Sequence, residues 1–404
     1  MTDLYPESFP DPVEEAFLRL VLAPDSAFRE RWECWKRATV FDDIPFAVLR
    51  TLPMLHLRLA ALGIEDDELT GRIRGVYRQA WFRNQMLLDR TAKIAVAFNA
   101  ADIPVMLLKG VAMMTDVFPS AGARMTDDAD LMVHERDVLK AVDLMRVQGG
   151  RRRALALAET DDFAEAHLAF SHAVAFELPG GVALDLHWQP YHNSAIDHPV
   201  RLLMLRDPSP APDIASGIWA RARHGHLKGV PVLLQSLEDM LLHTIEHGAR
   251  ANAHRPFRWV LDASAIIATP GFDFDRFAAI AASTPFAIHA RVACRYLSER
   301  MDIAVPPAAM AALDAVPVSK PEVQDYYRTG RMGRPSLFGK LPLIWYAYWK
   351  THRGGSLAGR LKNFPGYLRR QWELPPEQGL LAFAVAKYRR RLPQCLRPAG
   401  PRRR

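Results

Sequence analysis

The stretch that decides the fold covers residues 107–133, which read LLKGVAMMTDVFPSAGARMTDDADLMV. An apolar run, residues 103–108, leads into it and ends at Lys109-Gly110, after which the spacing is compatible with a helix. Its last part, residues 128–133, alternates acidic and apolar residues with the two-residue period of a strand. The stretch therefore predicts a strand, a helix that starts beside a glycine, and a second strand that carries carboxylates.

Asp128 and Asp130 are the first candidates for a metal site. Residues two apart on a strand project to the same face, so both carboxylates point the same way. Like charges side by side are unfavourable unless a cation lies between them, and Mg²⁺ or Mn²⁺ bound with phosphate oxygens would resolve that cost. Asp185 lies in the apolar run VALDLHW, residues 182–188, where packing does not explain a charged side chain. We expect it to face the pair from an adjacent strand, as a further metal ligand and general base.

A phosphate-binding region is predicted at the start of the helix after residue 108. Free backbone N–H groups at a helix start favour anions, and Gly110 allows close approach of the backbone. Lys109 adds a point charge that suits phosphate. Arg124, four residues before Asp128, could offset the charge of a triphosphate. Taken singly, each of these residues also fits an ordinary strand end or turn.

The sequence pattern divides the chain into four parts. Residues 1–100 read as helical, chiefly because apolar residues within 66–99 recur three or four apart. Residues 101–230 alternate strands and helices and end in two strands joined by Pro-Gly-Gly. Residues 231–335 return to helical spacing, and residues 336–404 form a basic helical segment and tail. We therefore expect an α+β fold, with a mixed-sheet core flanked by N- and C-terminal helical regions.

The composition is that of an ordinary globular protein. The chain has 404 residues, of which 49% are apolar and 24% charged. Its three cysteines are far apart and form no CxxC pair, which argues against a disulfide framework or a cysteine zinc site and favours a reducing cytoplasm. The acidic N-terminus lacks the apolar segment of a secretory signal, and no apolar run reaches the ~20 residues of a membrane helix.

Positive charge is concentrated at the C-terminal end. Residues 350–404 contain 14 Lys/Arg and 2 Asp/Glu, whereas the rest of the chain has a net negative charge. Phe364, Tyr367, Trp372 and Tyr388 lie among these basic residues, a combination that can bind nucleic acid. The same segment could lie peripherally on an anionic membrane surface, or be a solvated basic helix with a frayed tail.

A zinc hydrolase is a rival interpretation. His243, Glu246 and His247 match the pattern H-x-x-E-H, and histidines four apart share a face of a helix. A third ligand is not evident from the sequence. A helix end, at which His247 precedes Gly248 and interacts favourably with the helix dipole, explains the same residues.

Taken in order, these motifs resemble the bacterial uncharacterised nucleotidyltransferase family of the DNA polymerase β-like superfamily. The matching pattern is Leu-Lys-Gly, an Arg, Asp-x-Asp-Leu-x-Val and Asp-Leu-His-Trp, followed by a helical part with His-Gly and Trp-x-x-Asp. The resemblance implies that Asp128, Asp130 and Asp185 are catalytic and bind the metal. It also matches four positions that we assign to cofactor binding: Lys109, Gly110, Arg124 and His187.

The resemblance implies a metal-dependent nucleotidyltransferase. Such an enzyme transfers a nucleoside monophosphate from an NTP, for which we expect ATP, to an acceptor. The acceptor is a small molecule, a peptide, a protein or an RNA. Lys109-Gly110 stands where better-known members of the superfamily have Gly-Ser. The alternative is a catalytically idle core that acts as a binding module through its basic C-terminal segment.

Overall fold

The structure is a computed structural model that describes residues 5–64, 67–152, 172–191, 213–249, 257–318, 356–371 and 379–383, with single positions between 323 and 374. The chain divides into two compact units, Met1–Arg152 with His172–Arg334, and Arg153–Ser171 with Pro335–Arg404. The first unit includes the predicted N-terminal helical region, the predicted core except residues 153–171, and residues 231–334 of the helical part that follows. The predicted four-part division of the chain stays a prediction.

The N-terminal part of the first unit is helical, as the spacing predicted. Its helices are α1 (Pro12–Val21), α2 (Asp25–Ala38), α3 (Phe46–Leu49), α4 (Leu52–Ala61) and α5 (Glu68–Ala100), with a short 3₁₀ turn at Phe41–Asp43. Asp67 starts α5 by accepting a hydrogen bond from the backbone N–H of Thr70, while the Thr70 side chain accepts one from the Asp67 N–H. This long helix contacts three strands of the sheet and supports the site from one side.

A seven-stranded mixed sheet forms the core within the described residues. Its strands are β1 (Met106–Leu108), β2 (Asp128–Met132), β3 (Arg151–Arg152), β4 (Ala173–Leu178), β5 (Val182–His187), β6 (Arg223–Leu227) and β7 (Val230–Leu234), in the order β3-β4-β5-β2-β1-β7-β6. The β1–β7 and β2–β5 pairs are parallel, and the other neighbours are antiparallel. The predicted α+β fold with a mixed sheet is confirmed.

The central strands are buried along their length. In β2, Ala129 and Leu131 have no exposed surface, and the same is true of Leu107 in β1 and Leu186 in β5. Burying such side chains contributes roughly 1.5–3 kcal/mol each for the larger ones. This apolar layer fixes the register of β2, and the register in turn sends Asp128 and Asp130 to the opposite face.

The remaining helices of the first unit lie around this sheet and after it. They are α6 (Lys109–Asp116), α7 (Val138–Val147, after a 3₁₀ turn at Glu135–Asp137), α8 (Ile214–Ala220), α9 (Leu237–Gly248), α10 (Trp259–Ile267), α11 (Phe274–Ala282), α12 (Ala287–Met301) and α13 (Pro307–Ala315). Helix α9 contacts α6, α10, α11 and α12. The helices after the sheet are thereby joined to the core through α9, beside the candidate site.

One hairpin was not predicted from the sequence. The pattern placed the return to helical structure at about residue 230, but β6 and β7 extend the sheet to Leu234. The turn between them places Lys228 and Gly229 at φ 49° and 82°, the left-handed geometry of a tight hairpin turn. The hairpin is hard to recognise because β6 reads RHGHL, which lacks the apolar alternation of a half-buried strand.

A close approach between α9 and α10 explains Gly248. Gly248 is the last residue of α9, and Ala249 follows it as the cap. A Cβ atom at Gly248 would lie 2.3 Å from the Cβ of Trp259. The glycine therefore serves the packing of Trp259, which is 2% exposed.

We expect Gly248→Ala to lower the free energy of unfolding by about 1–3 kcal/mol, the usual cost of overpacking a core. Gly75→Ala is the matched control, because Gly75 lies inside α5 with open space around its Cβ position. That change should raise stability by about 0.5–1 kcal/mol through helix propensity. Urea unfolding of both variants measures the difference, and equal effects would contradict the packing account.

The second unit contains helix α14 (Leu357–Gln371). Phe364 and Tyr367 of this helix contact Trp345 and Tyr348, with ring centroids 4.7 Å apart for Phe364 and Trp345 and 4.9 Å apart for Tyr367 and Tyr348. Tyr367 is 1% exposed, so its ring packs against its neighbours and does not face solvent, where it could stack on nucleic-acid bases. The other two aromatic residues proposed for nucleic-acid binding, Trp372 and Tyr388, lie outside the described residues.

Among the described residues, no helix combines the length and the apolar character that a membrane span requires. Strand β3 comprises Arg151–Arg152, and the residues that follow it, up to 171, lie outside the described part of the chain.

Candidate active site

Parallel pairing of β2 with β5 brings the acidic residues together. Asp130 lies opposite Asp185, and Met132 lies opposite His187. Asp130, Asp185 and His187 each offer a ligand atom, and these atoms all lie within 4.8 Å of one another. The sequence predicted that Asp185 would face the strand of Asp128 and Asp130, and the structure places it there. This group is a candidate site for a divalent metal ion.

Asp130 is the buried centre of the group, with 3% of its side chain exposed. Lys109 Nζ lies 2.5 Å and His187 Nε2 lies 2.9 Å from the same atom, Asp130 Oδ1. Burial alone would raise the pKa of Asp130, but Lys109 and His187 outweigh it and hold that pKa well below its usual range. Asp130 is therefore a carboxylate at any working pH, and neither of these two donors occupies Oδ2.

Asp128 shares the face and the cavity of Asp130 but is not a member of the close group. Burial raises the pKa of Asp128, and the negative charge of Asp130 raises it further, with a smaller contribution from Asp185. Lys109 acts in the opposite direction without reversing the shift. The protein alone therefore leaves the charge of Asp128 poorly compensated, and an added cation would compensate it.

Lys109 reaches Asp130 because of the sheet register. Leu108 pairs with Asp130 across the β1–β2 ladder, so the next residue starts α6 directly beside that carboxylate. Lys109 has φ 47°, a left-handed conformation that costs an ordinary residue about 1–2 kcal/mol. Such strain persists where surrounding structure fixes the backbone, often at functional sites.

Gly110 lies directly beneath Arg124. A Cβ atom at Gly110 would be 2.5 Å from Arg124 Nη1 and 2.7 Å from Thr126 Cγ2. Arg124 is held from the other side by Asp262 of α10, with Nε 3.2 Å from each carboxylate oxygen. The guanidinium group is therefore fixed over the first turn of α6, where backbone N–H groups favour anions.

The loop that leads into β2 is clamped by side chains from distant helices. Asn84 of α5 donates hydrogen bonds to the carbonyl oxygens of Ala121 and Arg124, at 2.5 and 2.6 Å. Arg258 Nη1 donates to the carbonyl oxygen of Met125 at 2.7 Å. Both donors are remote in sequence from the loop. They fix the backbone that carries Arg124 and delivers Asp128 to the sheet.

The three carboxylates, Lys109, Gly110 and Arg124 line one cavity of about 410 Å³. The carboxylates of β2 and β5, the first turn of α6, Arg124, and the residues around α10 contribute to its wall. Three aromatic side chains complete the wall, namely Phe46, Phe257 and Trp259. The volume lies within the range of about 300–1,000 Å³ for small-molecule and cofactor sites.

Sequence reasoning placed His187 in the cofactor-binding set and missed two residues. His187 is 1% exposed and lies behind Asp130, in the candidate metal group. Its i+2 spacing from Asp185 on β5 was the signal that both share a face. Arg258 and Asp262 were not proposed, although they belong to the segment that contains the Trp-x-x-Asp motif.

The H-x-x-E-H residues do not assemble as a metal site within the described part of the chain. His243 is 3% exposed, and its Nδ1 lies 3.4 Å from Gln235 Oε1. Burial lowers the pKa of His243 well below its usual value, and the Lys109 charge adds to this effect. His243 and His247 line the cavity, but the close group of possible ligands is Asp130, Asp185 and His187. The structure therefore gives the zinc hydrolase interpretation no support.

The sheet and its paired acidic strands define the core of a nucleotidyltransferase. Residues 47–302 match the family described as Uncharacterised nucleotidyltransferase, and the chain belongs to that family. The predicted family is thus confirmed. No curated protein sequence shows a significant match to the chain.

Solved structures show more distant likenesses. The solution structure of the antibiotic-resistance factor ANT(2'')-Ia is 14% identical over 54% of this chain and 97% of that chain, with a TM-score of 0.33. The crystal structure of ANT(2'')-Ia with adenylyl-2''-tobramycin is 16% identical over 52% and 98%, with a TM-score of 0.31. An antigenic nucleotidyltransferase-like protein from Paracoccidioides brasiliensis is 14% identical over 61% and 94%, with a TM-score of 0.29. At these TM-scores, the likeness does not indicate a shared substrate.

Proposed function

We propose that this protein transfers a nucleoside monophosphate from an NTP to an acceptor and releases pyrophosphate, with ATP as the first NTP to test. The observation that carries the proposal is the convergence of Asp128, Asp130 and Asp185 beside the first turn of α6 in one cavity. Carboxylates that gather where a helix start favours anions are suited to an NTP and its divalent cations. Family membership supports the same reaction class.

The residues present fit a divalent cation. Burial and the charge of Asp130 raise the pKa of Asp128, which supports a cation beside this carboxylate. Asp130 Oδ2 and the half-buried Asp185 add further carboxylate oxygens, the ligands that Mg²⁺ and Mn²⁺ prefer. We assign the cation to Asp128, Asp130 and Asp185. When bound, it would neutralise triphosphate charge and stabilise the charge that develops on the transferring group.

We assign His187 to orientation rather than to direct ligation. Asp130 is ionised, so its 2.9 Å contact with Nε2 requires that nitrogen to donate a proton. While Nε2 donates this hydrogen bond, it has no lone pair for a metal. His187 then fixes the carboxylate of Asp130, as hydrogen-bond partners of metal ligands commonly do.

The chain's own residues supply the remaining parts of the reaction. Lys109 and Arg124 hold the phosphates at the start of α6. The acceptor oxygen attacks the α-phosphorus, its proton passes to the Asp185 carboxylate, and the bond between the α-phosphorus and the bridging oxygen to the β-phosphate breaks. The electron pair of that bond leaves with pyrophosphate.

We expect Gly110→Ala to weaken NTP binding about tenfold, the cost of losing one charged hydrogen bond. The added Cβ would displace the Arg124 guanidinium and would also require the Thr126 side chain to shift. Gly71→Ala in α5 is the control, because its Cβ position has open space. Titration of both variants with Mg-ATP tests this, and unchanged affinity in Gly110→Ala would contradict the assigned phosphate position.

Isothermal titration of the full chain with Mg-ATP, Mg-CTP and Mg-GTP tests the proposed function. Metal-dependent binding of at least one of them is expected, and it should disappear in EDTA. Binding of none would favour the idle core acting through its basic C-terminal segment. That alternative can be measured separately by binding of the full chain to RNA and to anionic vesicles.

The acceptor is a separate question. The complex with adenylyl-2''-tobramycin is one of ANT(2'')-Ia, and it does not identify the acceptor of this chain. Small molecules, peptides, proteins and RNA stay candidates, and incubation with cell extract and a labelled NTP would show which fraction receives the label.

A further inference from the structure

Two arginines share one carboxylate on the wall of the cavity. Arg124 Nε lies 3.2 Å from both oxygens of Asp262, and Arg258 Nε lies 3.8 Å from Asp262 Oδ2. The group of three therefore carries a net positive charge. The neighbouring Arg50 does not change this excess, because it pairs with Asp127 at 2.5 Å.

The positive charge of Arg258 is less compensated than that of Arg124. It contacts Asp262 at a longer distance than Arg124 does, and its Nη1 bonds a backbone carbonyl rather than a carboxylate. Burial lowers the pKa of Arg258 to about 9, and the charge of Arg124 contributes to this shift. An added anion would compensate this charge.

The position of the arginines indicates which anion. Arg124 lies over Gly110 at the start of α6, and Arg258 is joined to it through Asp262. Guanidinium groups bind phosphate oxygens through two parallel hydrogen bonds. In the proposed reaction, the phosphates beside the helix start are the terminal ones, because the α-phosphate belongs next to the carboxylates of β2 and β5.

We propose that Arg258 and Arg124, held by Asp262, bind the β- and γ-phosphates of the NTP and the pyrophosphate that leaves. This inference rests on the proposed function and adds to it. It makes the triphosphate site composite, with one part from α6 and the other from the segment that begins α10.

Tripolyphosphate with Mg²⁺ is the direct probe, because it has the phosphates without the nucleoside. Isothermal titration of the wild type is compared with Arg258→Met. The control is Arg295→Met, in which a surface arginine that pairs with Asp314 is lost from α12. We expect Arg258→Met to weaken binding about 10- to 100-fold and the control to leave it unchanged. Equal affinities of Arg258→Met and wild type would overturn the proposal.

A second measurement uses only the wild-type protein and does not depend on how Arg258→Met folds. Phenylglyoxal modifies arginine side chains, and mass spectrometry of peptides reports each site. Mg-tripolyphosphate should protect Arg258 and Arg124 and leave Arg295 reactive. Equal modification of Arg258 and Arg124 with and without Mg-tripolyphosphate would contradict the proposal.

The outcomes separate this inference from the proposed function. Wild type that binds Mg-tripolyphosphate through Arg258 but no NTP supports the anion site and contradicts nucleotide transfer. Tight Mg-ATP binding that Arg258→Met leaves unchanged supports the function and overturns the inference. If Arg258→Met binds Mg-tripolyphosphate as tightly as the wild type but no longer transfers the nucleotide, Arg258 contacts the acceptor rather than the phosphates. That result also overturns the inference.

Discussion

Asp128→Asn should give a folded protein that has lost at least about 1,000-fold of its nucleotide-transfer rate. A metal ligand that contributes about 4 kcal/mol to the transition state corresponds to this factor. Asparagine keeps the shape of the side chain and removes the charge that the proposed cation needs. The rate is measured as pyrophosphate release in an extract that contains the acceptor, at saturating Mg²⁺ and NTP.

The same variant should be as stable as the wild type without metal, or more stable by about 1 kcal/mol. The pKa of Asp128 is raised in the folded protein, so the folded state disfavours the charge, and stability falls as pH rises from the unfolded pKa through the folded pKa. At neutral pH the charge therefore costs stability, and Asn removes that cost. Urea unfolding in EDTA measures it.

Asp143→Asn is the matched control for both measurements, because Asp143 is 73% exposed on α7 and does not line the cavity. It should change neither the rate nor the stability. An Asp128→Asn protein that keeps its transfer rate would remove Asp128 from the metal site. One that is strongly destabilised in EDTA would contradict the electrostatic account.

Asp130→Asn should have the opposite effect on stability and lower the free energy of unfolding by about 2–4 kcal/mol. Removing one partner of a buried ion pair costs about 3–5 kcal/mol, and the figure is reduced here because Lys109 is 21% exposed. The ammonium group of Lys109 and the imidazole of His187 would lose the negative charge of their shared acceptor. Urea unfolding in EDTA again provides the measurement.

A double-mutant cycle with Lys109→Met isolates the ion pair. The coupling energy between Lys109 and Asp130 should be about 1–3 kcal/mol, and the double variant should be more stable than additivity predicts. The pKa of Asp130 is depressed, so this stabilisation is complete above the unfolded value of 3.8 and is lost only as pH falls through the folded value. Additive effects of the two substitutions at neutral pH would show that the pair does not stabilise the fold.

The acidic part of the site was predictable because strand geometry is encoded locally. The alternation around Asp128 and Asp130 identified β2, and an unexplained charge in an apolar run identified Asp185. The parallel register that sets Asp130 opposite Asp185 is not visible in either segment alone. The same register places His187 beside Asp130. From the sequence, His187 was assigned to cofactor binding rather than to the group around Asp130.

The basic part of the site was less predictable because it depends on contacts between distant segments. Arg124 was identified from its closeness to Asp128 in the chain, but its partner Asp262 lies 138 residues away. A local pattern cannot show that α10 approaches the loop before β2. The β6–β7 hairpin was missed for a related reason, since β6 is stabilised by pairing with β7 rather than by an apolar pattern of its own.

The fate of the α-phosphate tests the central claim most directly. The wild type and the Asp128→Asn/Asp130→Asn variant are incubated with cell extract and an NTP labelled on either the α- or the γ-phosphate. We predict that the wild type transfers the α-label to an acceptor in Mg²⁺ but not in EDTA, that the γ-label appears in pyrophosphate, and that the variant transfers neither. Transfer of the γ-label to the acceptor, or undiminished transfer of the α-label by the variant, would contradict a nucleotidyltransferase built on these carboxylates.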